Sequence, residues 1–253
     1  MGGAAQDGLP GWVTLLRAPN PGPMTLDGTN TWVLRAPGEE LGFVVDPGPL
    51  DEGHLAAVAA QGRVTTVIAT HSHPDHVEGL ERLLELCPAA TLATEGFTTA
   101  AGVSVEVIAT PGHTSDSVTL VAAYGPEQVA LTGDTILGRG PTVVARPDGD
   151  LGQYLDSLGR LERLGGIPVL PGHGPALASC AEAARHYIDH RQARLEQVRA
   201  ALAGGARTAD DVVAVVYADT DPALRSAARW SVEAQMRYLE GESIEPPGRL
   251  DPA

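Results

Sequence analysis

The run from His71 to His76 places three imidazoles and one carboxylate in a six-residue loop, His-Ser-His-Pro-Asp-His. Imidazole and carboxylate donors at alternating positions can converge on one metal ion or divide between two neighbouring ions, and these donors suit zinc and its borderline neighbours. A solvated turn could have the same composition. The chain has only eight histidines, however, so a chance cluster of this density is the weaker explanation, and the loop predicts a metal site.

The flanking residues constrain the fold around this loop. Residues 64–70 form a short β-branched and apolar stretch, which predicts a buried strand. Residues 77–87 place Val and Leu at near-helical spacing among charged residues, which predicts a helix. The loop therefore lies at the C-terminal end of a strand, at the start of an α/β fold.

Three further metal donors have the same context, a strand-like stretch that runs into a glycine-containing turn. Residues 103–110 lead to His113, residues 129–132 lead to Asp134, and residues 167–170 lead to His173. The glycine in each turn lets the backbone bend tightly and bring the donor toward a shared centre. Five histidines and two aspartates suit two metal ions that clamp a reacting group between them.

This donor set resembles the five-motif signature of the metallo-β-lactamase superfamily. The residues that carry the resemblance are His71, His73, Asp75, His76, His113, Asp134 and His173. The resemblance implies that His71, His73 and His113 bind one metal ion. It also implies that Asp75, His76 and His173 bind a second metal ion and that Asp134 bridges the two. It also implies two zinc ions, although manganese and iron accept the same ligands, and an αββα sandwich fold with an added C-terminal helical, winged-helix-like unit.

A narrower resemblance comes from residues 20–32, 112–117, 132–138 and 171–175, which are similar to the branch that contains the β-lactamase-like protein 2 family. Members of that branch are described as endoribonucleases acting on single-stranded RNA or, in polyketide pathways, as thioester hydrolases. We therefore expect hydrolysis by a metal-bound hydroxide, with Asp75 as the catalytic carboxylate that orients it or passes on its proton. Single-stranded RNA is the first expected substrate. The alternative substrate is a thioester or carboxylic ester, of glyoxalase II-like or acyl-carrier type. β-Lactamase activity is a less favoured possibility.

The charge of the chain opposes a nucleic-acid substrate. The formal net charge is −15, and every basic residue except histidine is Arg, because the sequence contains no Lys. Neutralisation of phosphates supplies most nonspecific affinity for nucleic acids, so an acidic surface suits small esters better. A non-enzymatic protein that binds DNA through its C-terminal part stays the third class of function.

The remaining chain predicts two domains, a catalytic domain over residues 1–178 and a helical domain over residues 179–253. Strands are expected over residues 12–16, 29–35 and 41–46, and helices over residues 52–60, 151–164, 178–202, 208–217 and 222–240. The helical domain could gate the substrate or bind nucleic acid, but the favoured interpretation is that it packs on the catalytic domain or on a partner subunit, such as a second copy in a homodimer. Its expected core consists of Leu202, Val212, Val213, Val216, Leu224, Trp230 and Leu239.

Four polar residues near the motifs are candidate substrate contacts: Asn30, Thr114, Ser115 and Asp116. For all four, satisfying backbone groups in a turn is an equally good interpretation. Three histidines outside the motifs, His54, His186 and His190, are assigned no site role. Both cysteines, Cys87 and Cys180, are expected to be buried packing thiols. No membrane span or secretion signal is recognised, so the expected location is the cytoplasm, with no membrane partner.

Overall fold

The computed structural model describes residues 8–93 and 96–241, which form ten strands and seven α-helices. The strands are β1 (Val13–Arg17), β2 (Asn30–Leu34), β3 (Leu41–Val45), β4 (Arg63–Ile68), β5 (Thr91–Ala93), β6 (Phe97–Ala100), β7 (Val103–Ala109), β8 (Val118–Tyr124), β9 (Glu127–Gly133) and β10 (Val169–Pro171). The helices are α1 (Glu52–Ala59), α2 (Pro74–Val77), α3 (Leu80–Leu86), α4 (Leu151–Glu162), α5 (Cys180–Ala203), α6 (Ala209–Val216) and α7 (Arg225–Glu240), with a 3-10 turn over Pro222–Leu224.

The strands make two five-stranded sheets, with the orders β1-β2-β3-β4-β5 and β10-β9-β8-β7-β6. In the first sheet β1, β2 and β3 pair antiparallel, whereas β3, β4 and β5 pair parallel through the crossover helices. In the second sheet all neighbours are antiparallel except β9 and β10. Both sheets are therefore mixed.

Side chains alternate between the two faces of each sheet, and this alternation builds four layers. Trp32 and Leu34 of β2 join the core between the sheets, whereas Val33 packs toward α1 and α3. In the second sheet Leu131 of β9 enters the same central core, and Ala130 packs under α4 and α5. The expected αββα sandwich is confirmed.

The long helix α5 connects this sandwich to the C-terminal helices. Its residues Ala184 and Tyr187 share a core with α4, and its residues Val198 and Ala201 share a second core with α6 and α7. The predicted domain boundary after residue 178 falls just before this helix and stays a prediction. Within the described residues, no helix is long and apolar enough to cross a membrane.

Three local expectations were wrong. The helix expected over residues 77–87 is divided into α2 and α3, because the Gly79 amide donates to Gly48 O instead of continuing the helical ladder. Trp230 was expected in the core of the helical unit but is 43% exposed, because it lies outside the face of α7 that carries the buried residues Ala227, Ser231 and Val232. Cys180 is buried, but Cys87 is only half-buried.

Candidate metal centre

The seven predicted donors lie together at one edge of the sandwich. His71 follows β4, His113 follows β7, Asp134 follows β9 and His173 follows β10, so the turns after four strands bring these donors to the same place. Three groups of potential ligand atoms each lie within 4.8 Å of one another. They are His71 with His73 and His113; His71 with His76 and Asp134; and Asp75 with His76 and His173.

The first cluster consists of His71, His73 and His113. His71 Nε2 lies 3.0 Å from His73 Nδ1, which lies 3.1 Å from His113 Nε2. A tetrahedral zinc site with nitrogen ligands at about 2.0–2.1 Å separates its ligand atoms by roughly 3.3 Å. The three nitrogens are therefore spaced as ligands of one ion of this size.

The second cluster consists of Asp75, His76 and His173. His173 Nε2 lies 3.1 Å from Asp75 Oδ2 and 3.3 Å from His76 Nε2, and His76 Nε2 lies 3.5 Å from Asp75 Oδ2. These separations also fit the edges of one coordination polyhedron. The cluster differs from the first by replacing one imidazole with a carboxylate.

Asp134 lies between the two clusters. Its Oδ2 is 3.8 Å from His113 Nε2 and 3.4 Å from His173 Nε2, and its Oδ1 is 3.5 Å from His76 Nε2. Oδ1 is buried and has no hydrogen-bond partner among the described residues. A buried carboxylate oxygen without a partner is costly, and a cation would remove that cost. The donor set therefore fits two adjacent metal ions.

Four of the histidines are oriented through their second ring nitrogen, as metal ligands usually are. His76 Nδ1 lies 2.9 Å from Asp46 Oδ2, and His113 Nδ1 lies 2.7 Å from Val143 O. His173 Nδ1 lies 3.3 Å from Gly28 O, and His71 Nδ1 lies 3.1 Å from the Thr70 hydroxyl. In each ring this leaves Nε2 directed into the cluster.

Asp46 is the residue of this centre that sequence reasoning missed. It is buried at the end of β3, and its carboxylate accepts bonds from the backbone amide and the hydroxyl of Thr70, at 2.7 and 2.8 Å, besides its contact with His76. Its φ of 54° lies in the left-handed region, which a non-glycine residue adopts when surrounding contacts hold it there. The sequence assigned Asp46 only to the end of the strand expected over residues 41–46. Its position at the same sheet edge as His71 was the available signal.

Gly172 shows why a glycine precedes a ligand in these turns. A Cβ on Gly172 would lie 2.5 Å from Asp134 Oδ1 and 2.7 Å from His76 Cε1. Neither neighbour can retreat without leaving the cluster. The absence of a side chain at Gly172 thus lets the loop that carries His173 approach the other ligands.

The two clusters differ in protonation. Burial lowers the pKa of His71 and of His113 below the ordinary imidazole value, so both are neutral donors. Burial also opposes the charged forms of His76 and His173, but nearby carboxylates, Asp134 foremost, outweigh it and raise both pKa values, that of His173 to about 10. Asp134 in turn has its pKa lowered well below the ordinary value, against the effect of burial, mainly by His76.

Asn30 holds the ligand loop rather than facing the centre. It is fully buried, and its side-chain amide donates to Pro171 O at 3.0 Å and to Gly174 O at 2.8 Å. Its backbone amide donates to Gly172 O at 2.8 Å. Asn30 therefore fixes the backbone on both sides of His173, and the proposed substrate contact is replaced by a positioning role.

The other three candidate substrate residues form the turn after His113. The Thr114 hydroxyl donates to Asp116 Oδ1 at 2.7 Å and lies 2.6 Å from the Ser117 hydroxyl, and the Ser115 amide donates to Asp148 Oδ1 at 3.1 Å. Thr114 is buried, whereas Ser115 and Asp116 are exposed. These contacts satisfy turn groups, so a role in substrate binding stays a prediction for Thr114, Ser115 and Asp116.

A cleft of about 330 Å³ opens beside the metal centre. His113 and Asp134 line one side of it, and residues of α5, the 3-10 turn and α7 line the other. His190 of α5 contributes to this wall, whereas His54 is buried elsewhere, with its Nε2 2.9 Å from the Thr31 hydroxyl. The C-terminal helices thus complete a cavity that touches both His113 and Asp134.

The sequence of this chain matches the metallo-β-lactamase superfamily over residues 24–96 and 94–173, and the β-lactamase-associated winged-helix domain over residues 208–243. The chain belongs to the metallo-β-lactamase superfamily. It is 31% identical to a β-lactamase-like protein 2 homologue from Caenorhabditis elegans, over 90% of this chain and 83% of that protein. It is also 32% identical to an atrochrysone carboxyl ACP thioesterase from Aspergillus fumigatus, over 72% of this chain and 62% of that protein.

Solved structures of the same fold extend the comparison to the C-terminal helices. A β-lactamase domain protein from Burkholderia ambifaria superposes with a TM-score of 0.72 at 24% identity, covering 94% of this chain and 92% of that one. A metallo-β-lactamase family protein from Thermus thermophilus gives a TM-score of 0.70 at 23% identity, with 93% and 96% covered. Both establish the fold over nearly the whole length.

Proposed function

We propose that this chain is a dinuclear metal-dependent hydrolase, with zinc as the expected metal, that cleaves acyl thioesters or carboxylic esters. The observation that carries the proposal is the position of Asp134, whose two carboxylate oxygens lie between the two ligand clusters. One of these oxygens, Oδ1, has no hydrogen-bond partner among the described residues. Imidazole and carboxylate donors without thiolate suit zinc, while manganese and iron remain compatible with the same set. When bound, two such cations lower the pKa of a water and polarise the oxygen of the scissile group.

Asp75 is the residue we assign to proton handling. Hydrogen bonding to His173 and the field of His76 lower its pKa despite burial, so it is a carboxylate at neutral pH. Its side chain is 27% exposed, whereas that of Asp134 is 12% exposed. The Thr29 hydroxyl donates to Asp75 Oδ2 at 3.4 Å. Asp75 Oδ2 can thus orient an attacking water and accept its proton.

The shape of the cleft supports an acyl substrate. Apolar side chains that include Leu26, Leu137, Val143 and Leu224 line it beside the metal ligands. A volume of about 330 Å³ is at the lower end for small-molecule pockets and suits a short acyl group. The acidic balance of the chain, −15, disfavours a polyanion. One relative is named a thioesterase, which agrees with this choice.

Hydrolysis of single-stranded RNA, the first expectation from the sequence, is the second candidate. The observation that favours it is the presence of Arg191 and Arg194 on the wall of the cleft, because guanidinium groups bind phosphates. The winged-helix match at residues 208–243 gives a further surface that an oligonucleotide could meet.

A paired assay tests the proposal. Purified protein loaded with zinc is offered short-chain acyl thioesters of N-acetylcysteamine and, separately, single-stranded oligoribonucleotides, with Asp134→Asn as the variant that removes the shared ligand. We expect thioester hydrolysis that depends on added metal and is lost in Asp134→Asn. RNA cleavage with the same two dependences, without thioester hydrolysis, would replace the first candidate by the second. Retention of either activity in metal-stripped protein would refute both.

A further inference from the structure

Arg191 is a buried cation on the cleft wall. It is 3% exposed, its Nη2 donates to Thr142 O, and its guanidinium lies 5.0 Å from the centre of the Tyr154 ring. Among the described residues, its Nε has no hydrogen-bond partner and no carboxylate lies within ion-pairing distance of it. A buried charge without a counter-ion is expensive, so a retained one usually has a ligand.

Arg194 lies one helical turn further along α5 on the same wall. Its guanidinium lies 4.7 Å from the centre of the Tyr217 ring, and Nη1 donates to Gln197 Oε1 and to Val216 O. All of these partners are uncharged. Burial and the fields of Arg191 and Arg194 lower the pKa of His190, which lines the same cleft and is therefore neutral. The wall thus carries a local positive field within an acidic protein.

Arg139, the third arginine that lines the cleft, differs from Arg191 and Arg194 because it is paired with a carboxylate. Arg139 is exposed and makes a two-pronged ion pair with Asp27, at 2.6 and 2.7 Å. The side chains that line the cleft include one carboxylate, Asp134, which belongs to the metal centre. Two cations are therefore left without a carboxylate partner, on the side of the cleft that faces the metal ligands.

We propose that Arg191 and Arg194 form an anion subsite for the substrate, which is an acyl thioester or ester whose acyl group ends in a carboxylate or phosphate-type group. The inference rests on the proposed hydrolase function and specifies its substrate class. Two neighbouring cations with apolar walls match one anionic group at the end of a short apolar chain. A polynucleotide would instead need an open cationic track with stacking surfaces.

The test uses three N-acetylcysteamine thioesters that differ only at the far end of the acyl chain. Glutaryl carries a carboxylate, 4-phosphonobutyryl carries a phosphonate, and valeryl carries a methyl group. Charged hydrogen bonds of this kind change affinity by about 10–100-fold, so we expect the zinc-loaded enzyme to prefer one anionic thioester over valeryl by this factor in kcat/KM, mainly through KM. The better of the two anionic thioesters identifies the group that the subsite accepts.

Variants assign the preference to the two arginines. Arg194→Gln and Arg191→Gln should lower kcat/KM for the anionic thioester to the level of valeryl, whereas Arg194→Lys should keep part of the preference. Arg199→Gln is the matched control, because Arg199 lies on the same helix but is exposed and paired with Glu196. Arg191 also holds Thr142, whose hydroxyl donates to Asp134 O at 2.8 Å. Metal content is therefore measured in each variant. If Arg191→Gln loses metal, the result for Arg194→Gln alone tests the subsite.

Binding separates this inference from the proposed function. The corresponding amides, which resist hydrolysis, are titrated calorimetrically into zinc-loaded protein. A charge preference that Arg194→Gln abolishes supports the subsite even if no thioester is cleaved, in which case only the proposed reaction fails. Equal affinity for charged and neutral amides, or a charge preference that persists in Arg194→Gln, overturns the subsite. RNA cleavage that depends on both arginines, together with equal kcat/KM for charged and neutral acyl thioesters, would also overturn the subsite.

Discussion

The two halves of the metal centre use different donors and hold protons differently. The first cluster contains three imidazoles, and burial lowers the pKa of His71 and His113, so those two rings are ready for a cation at neutral pH. The second cluster contains imidazoles whose pKa is raised by carboxylates, and a cation there must displace protons. The second cluster therefore depends more on the carboxylates around it than the first does.

The largest expected effect comes from His71→Ala, which affects both halves. His71 is a member of the first cluster and also lies in the group with His76 and Asp134. Its loss should reduce bound metal from two ions per chain to one or fewer and bring hydrolysis to background. Metal analysis and kcat/KM measure the two effects. His186→Ala, at an exposed position on α5, is the control. A His71→Ala protein with two ions and normal rates would contradict the assignment.

A smaller and selective effect is expected from Asp46→Asn. The amide cannot supply the negative charge that faces His76 Nδ1 directly, whereas Asp46 supports the first cluster only indirectly, through the Thr70 hydroxyl beside His71 Nδ1, so the second cluster should be weakened more. Losses of an orienting partner usually cost about 10–100-fold in metal affinity or activity. Competition with a metal-binding dye should show a larger loss of affinity at one site than at the other. Asp156→Asn, exposed on α4, should change neither, and equal weakening of both sites in Asp46→Asn would remove the distinction between the halves.

Most of the ligand set could be predicted from sequence because the donors follow strands directly. Asp75, His76 and their neighbours lie in one loop, and His113, Asp134 and His173 each come after a glycine turn. Their convergence needed only the rule that strand ends meet at a sheet edge. Asp46 has the same position, but an aspartate before proline and glycine is also typical of an ordinary turn.

The cleft wall could not be predicted in this way. Arg191 and Arg194 approach His113 and Asp134 only because α5 packs on α4 and the chain then folds back through α7. No local pattern distinguishes these arginines from others on a long helix that is rich in Ala, Arg and Glu. The two interpretations of Asn30 could not be separated for a related reason, since its partners are more than 140 residues away along the chain.

The pH dependence of metal-free protein sharpens the comparison further. The pKa of His173 is raised from 6.5 to about 10, so its stabilising contribution is complete below pH 6.5 and is lost as pH rises toward 10. The melting temperature of the metal-free protein should therefore fall across this pH range, by roughly 2–4 °C for each kcal/mol of stability that is lost. Zinc-loaded protein should lose less, since the metal replaces the proton on His173. A metal-free melting temperature that does not change between pH 6.5 and 10 would contradict the raised pKa.

The smallest expected effect is that of Ser115→Ala. Its backbone amide makes the bond to Asp148, which the substitution retains, and the side chain is exposed. Surface changes of this kind usually alter stability by less than about 0.5 kcal/mol, so kcat/KM and melting temperature should stay close to those of the parent protein. Asp116→Asn should have a larger effect than Ser115→Ala, because the Thr114 hydroxyl donates to the Asp116 carboxylate. A large rise in KM for Ser115→Ala alone would instead support the predicted role of this residue in substrate binding and place part of the recognition on the loop of the first cluster.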